Sequence, residues 1–188
     1  MAETALTSLW LPILLSSVAL FFLSFLAWMV LPHHKADWRG LPDERAFGDA
    51  LAGLNLPPGN YAFPHFKTSE EMKSREFQER QQRGPNGTLQ LWNGPCNMGK
   101  NLACQFLFFL ATSFCLAYLA TLGVPAGAEF MPVFRFVGTA GILTYTAASV
   151  PGSIWFNLRL CGYLVDGLLY GLATGVIFAM LWPVAAGA

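Results

Sequence analysis

Four long apolar stretches set the pattern of the chain. They run over residues 8–31, 101–124, 130–150 and 162–184, and each is interrupted by one ionisable group at most. About 20 predominantly apolar residues cover a hydrocarbon core of about 30 Å. Lipid offers no partners to open backbone groups, so a stretch of this kind spans as a helix. Barrel strands are about 10 residues long and alternate in character, which these stretches do not. The pattern therefore predicts an all-α membrane protein with four transmembrane helices. The first stretch reads as a retained span: Met1–Thr7 has no Lys or Arg, and Pro32-His33-His34-Lys35 does not resemble a small-residue cleavage site.

Between the first two spans the pattern changes. Residues 32–99 are too long for a plain connector and read as a small α/β insert. Ala46, Phe47, Ala50, Leu51 and Leu54 recur at helical spacing behind Pro42-Asp43-Glu44, and Pro57-Pro58-Gly59 stops that helix. Tyr61 and Phe63 alternate with Ala62 and Pro64 as in a short edge strand. Thr68 and Glu71 form a capping box that opens a polar helix to about Arg83. Thr88-Leu89-Gln90-Leu91-Trp92 follows the turn Gly84-Pro85-Asn86-Gly87 as a second strand able to pair with the first. An insert of this size buries a thin core at best.

Composition sharpens the class. Hydrophobic residues make up 54% of the chain, charged residues 12%, and the mean hydropathy is +0.45. Residues 32–99 carry 16 of the 22 Asp, Glu, Lys and Arg side chains. This excludes a nucleic-acid binder working through a basic field, a disordered chain and a disulfide-rich secreted module. Lys35, Arg39, Arg45, Arg83, Lys100 and Arg159 flank one set of span ends, whereas the other set offers Glu3 and Glu129. The positive-inside bias then puts both termini outside and the insert over residues 32–99 in the cytoplasm.

Few groups could carry chemistry. Gly167, Gly171, Gly175 and Ala179 recur every four residues, making a smooth stripe along one face of the fourth span. Such stripes let a second backbone approach closely; the partner is another helix of this chain, with Gly138 and Gly141 available, or a second copy or another membrane subunit. Arg135 and Asp166 are the ionisable groups inside the spans, and such groups are functional candidates because burial without a partner is costly. Depth separates them into opposite leaflets. Arg135 is therefore expected to snorkel outward to headgroups or to Glu129, and Asp166 to pair with Arg159 or Lys100 at the cytoplasmic edge. His33, His34, Asp37 and His65 form the candidate metal set, since imidazole and carboxylate suit Zn, Fe or Cu. A helical turn would bring His33 and Asp37 to one face. No HExxH, CxxC, nucleophile elbow or phosphate loop is present. No cofactor is predicted from these residues, and a metal ion is the one they leave possible.

The chain resembles a family of small, uncharacterised four-helix integral membrane proteins of bacteria. The resemblance rests on Leu31-Pro32-His33-His34-Lys35-Ala36-Asp37-Trp38, Leu41-Pro42-Asp43-Glu44, Pro58-Gly59-Asn60-Tyr61-Ala62-Phe63-Pro64, Asn97-Met98-Gly99-Lys100-Asn101-Leu102, Ser153-Ile154-Trp155-Phe156 and Val165-Asp166-Gly167-Leu168. It implies a multi-pass protein of the bacterial inner membrane, with no activity, cofactor or site residue to carry over.

Packing chemistry outweighs reactive chemistry in the sequence. The leading expectation is accordingly a non-catalytic accessory, assembly or scaffold subunit, with the lipid bilayer and a second copy or another membrane protein as partners and no nucleic acid. The alternatives are a small oligomeric transporter or channel using Asp166 with Asn157 and Tyr145, or a metal-binding membrane protein using His33, His34, Asp37 and His65.

Overall fold

The computed structural model describes residues 4–184. Glu3, used above to orient the chain, lies outside the described residues. Two compact units form, one from the four spans with their flanks through Trp38 and from Asn97, the other from Arg39–Cys96.

The first span, Leu6–Val30, opens with a 3-10 turn, continues as α1 (Trp10–Phe25) and ends in a wide π turn over Leu26–Val30. The Leu31 N–H closes that turn onto the Leu26 carbonyl at 2.9 Å. Leu31 then turns extended, as a residue before proline is pushed to do, and Pro32–His34 make a single 3-10 turn. The second span, α5 (Met98–Gly123), starts at Asn97, whose side chain accepts the Lys100 N–H. The fourth is α8 (Leu160–Met180).

The third span reaches Phe156, beyond the residue 150 read from the sequence, and is broken into α6 (Phe130–Ala147) and α7 (Ser149–Phe156). Pro151 has no N–H to give the Ala147 carbonyl four residues back, which accounts for the break at that place.

The span unit is thus an all-α membrane fold with four long apolar helices. Many of their large apolar side chains, among them Phe22, Leu107, Leu122, Leu143 and Met180, are exposed on the outside of the bundle. Water would penalise this arrangement and a bilayer would not. Inside, α6 and α8 pack backbone to backbone. A Cβ on Gly175 would lie 2.9 Å from the Gly138 Cα, and one on Gly141 would lie 3.0 Å from the Gly171 Cα. At one end Leu9, Ala117, Ala120, Val133, Val137 and Phe178 fill the space between helices; nearer the other end Leu20, Phe109 and Tyr170 do so.

The insert has the mixed composition expected of it: α2 (Glu44–Leu54), β1 (Gly59–Phe63), α3 (Ser69–Lys73), α4 (Arg75–Arg83) and β2 (Gly87–Leu91). Asp43 caps α2 by accepting the Ala46 N–H at 2.8 Å. The strands pair antiparallel from Gly59 opposite Leu91 to Phe63 opposite Gly87. Where one polar helix was expected there are two. Ser74 leaves helical geometry, ends α3 and accepts the Phe77 N–H at 3.1 Å to cap α4. Glu71 reaches past the cap to the Lys67 N–H, at 2.8 Å. Phe77 is buried, edge-on to Phe66 with Arg80 over its ring, and provides the thin core.

Candidate metal centre

The histidines sit where the first span ends, and Asp166 lies two turns into α8. Pro32 and the 3-10 turn aim both rings back at the fourth span. His33 Nε2 is 2.7 Å from Asp166 Oδ1, and His34 Nε2 is 2.9 Å from Asp166 Oδ2. One carboxylate therefore receives two imidazoles, one on each oxygen. A ligand atom from each of His33, His34 and Asp166 lies within 4.8 Å of the others. Asp166 and His34 are about 5% exposed, while His33 keeps an edge open.

The surrounding residues hold the rings in place. His34 Nδ1 lies 2.6 Å from Asp37 Oδ2. The indole of Trp28 stacks on the His34 ring at 4.0 Å between centroids and 9° between planes, and Tyr163 meets the ring edge-on. Gly162 supplies the floor, since a Cβ there would stand 2.7 Å from His34 Cε1. Arg159 donates to the Ala36 carbonyl at 2.9 Å, and its Nε is 3.8 Å from Asp37 Oδ1. Tyr170 donates to Asp166 Oδ2 over a longer 3.4 Å.

Proton counting gives the arrangement its chemistry. A neutral imidazole has one N–H, yet His34 faces a carboxylate at each nitrogen. Both contacts are favourable when the ring is a cation or when a metal ion replaces the proton at Nε2. Burial works against the charged ring, and the hydrogen bonds and charges of Asp37 and Asp166 overcome it, so His34 titrates above its ordinary value. The separations at Asp166 are hydrogen-bond lengths, those of a proton-bridged form. With Asp37 accepting from Nδ1, the Nε2 lone pair of His34 is directed at the point where an ion would sit. A carboxylate behind a ligating histidine is the usual support of a metal site. Two imidazoles and one carboxylate, with coordination positions left over, match the donor sets of Zn and Fe(II) centres.

Several expectations are corrected here. The turn is 3-10, with a repeat of three residues, so Asp37 joins His34 rather than His33. Asp166 pairs with the histidines instead of Arg159 or Lys100, because its side chain points into the bundle while Arg159 precedes α8 and reaches Asp37. His65 belongs to the insert, a separate unit. For Arg135 nothing is corrected: it is exposed on α6. Asp166 was a separate candidate in the sequence, and its place beside His33 and His34 in the candidate cluster was missed. The signal was available: Asp166 and the His33-His34 pair occupy the same end of the bundle, and depth arithmetic applied to the histidines brings them together.

No family model matches the chain, and neither a curated protein nor a solved structure is significantly similar to it.

Proposed function

We propose that this multi-pass membrane protein works through a divalent first-row metal ion held by His33, His34 and Asp166, with Asp37 orienting His34. The convergence of two Nε2 atoms on one buried carboxylate carries the reading. Three protein ligands leave positions for water or substrate, as in catalytic rather than closed structural sites. A separate observation favours this reading over an accessory or scaffold role: the small-residue stripe of α8 is engaged with α6 of the same chain. The setting proposed is the bacterial inner membrane, with both termini outside and the insert in the cytoplasm. The cluster of basic residues around the ends near the metal centre supports that orientation.

Metal analysis tests the centre. Protein purified in mild detergent and loaded with Zn(II) or Fe(II) should retain close to one ion per chain after desalting. His34→Ala and Asp166→Ala should each lower affinity by about tenfold or more, using the loss seen on removing a supporting residue as a lower bound, and Arg135→Gln should leave it unchanged. Retention that is a small fraction of an equivalent and insensitive to Asp166→Ala overturns the proposal. His34 would then be a protonated bridge between two carboxylates.

A further inference from the structure

A cavity of about 740 Å³ lies among the four spans, and Asp166 forms part of its wall. It extends along α8 from Tyr163 to Tyr170 and along the first span from Phe21 to Met29. At 1.5 Å per residue this gives a depth of about 10–12 Å. The deep end is aromatic, with Phe21, Phe109 and Tyr170. The end near the metal centre is more polar, with Asn101, Gln105 and Asp166, and Trp28 is shared between the cavity and the His34 stack. Phe22, Phe108 and Thr144 line the cavity, are exposed, and lie well inside their spans rather than at the span ends. The opening is therefore sideways, toward lipid.

We propose that this cavity takes a single-chain amphiphile with an oxygen-bearing head directly from the bilayer. The chain lies along the aromatic end, and the head oxygen reaches the open coordination positions of the ion at His33, His34 and Asp166. This inference rests on the metal reading for the head and on the cavity alone for the chain. The polarity gradient sets the direction of binding: the aromatic end can replace the lipid contacts of a chain, whereas a polar head placed there would be left without a partner. The volume lies within the range for one small ligand, which favours one chain over two. The head chemistry follows from charge. Asp166 repels a fatty carboxylate unless a cation stands between them, whereas a long-chain alcohol carries no charge and needs no such bridge.

Trp28 offers a probe. In lipid nanodiscs, dibromostearic acid should quench Trp28 fluorescence saturably in metal-loaded protein, and native mass spectrometry should count one bound molecule. Trp28→Phe should remove the saturable part and leave the linear quenching of the other five tryptophans. Ser24→Phe and Thr144→Phe, which fill the cavity, should weaken binding at least tenfold without changing metal content. Stripping the metal should abolish fatty-acid binding and weaken, without abolishing, binding of a brominated long-chain alcohol. Quenching that is linear in brominated chain and equal in Ser24→Phe reports partition into the bilayer and overturns the inference. Bound metal without saturable quenching also overturns it and leaves the metal centre standing. Saturable alcohol binding in a protein that never holds metal upholds the cavity and sinks the centre together with the placement of the head.

Discussion

Asp37 shows how a residue outside the proposed ligand set can orient a residue within it. Its carboxylate fixes the ring of His34 from behind, so that Nε2 faces Asp166. Removing a carboxylate of this kind commonly costs 10- to 100-fold in metal affinity. Asp37→Asn should therefore weaken Zn(II) binding by about that factor, read by competition against a chelating dye, while the helical circular dichroism of the bundle stays the same. An affinity equal to the parent's would remove Asp37 from the centre. At this scale the sequence was half legible. His33, His34 and Asp37 stand together in the chain and invite the reading, but which of them pair depends on a turn of three residues per repeat instead of 3.6. The contact with Asp166 bridges more than 130 positions, and nothing in local pattern encodes it.

At the scale of elements the reading went further, because each signal was local. Long apolar runs give the spans, alternation gives β1 and β2, and Asp43 and Thr68 give helix starts. What escaped was the division of elements. Ser74 ends one helix and caps the next, and Pro151 breaks the third span four residues beyond the carbonyl it leaves without a donor. The pairing of α6 with α8 also follows from composition, since only glycine admits backbone this close. A Cβ on Gly175 would meet the main chain of Gly138, which cannot swing aside as a flexible side chain would. Gly175→Leu should thus destabilise the bundle by about 1–3 kcal/mol, the usual range for overpacking, seen as a lower midpoint of thermal unfolding in detergent. An unchanged midpoint would mean that the two helices separate without cost.

For the whole molecule, charge and span number make the remaining prediction. Lys35, Lys100 and Arg159 sit at one set of span ends, opposite Glu129. In a chain whose native cysteines are replaced by serine, Ala126→Cys should react with an impermeant maleimide on intact cells. Gly53→Cys should react only after lysis. The reverse pattern would turn the protein over in the membrane and place the metal centre at the outer surface. The charge asymmetry on which the proposed orientation rests was plain in the sequence, whereas the cavity was not, because it is the space left by four helices whose relative rotation no single span specifies.

The union of His33 and His34 with Asp166 also has a consequence in time. The histidines are synthesised first, and the carboxylate is made more than 130 residues later. No intermediate of synthesis that lacks α8 can bring these three side chains together. Assembly of the proposed centre thereby waits for the synthesis of α8, and a chain cut short before α8 reaches the membrane without it.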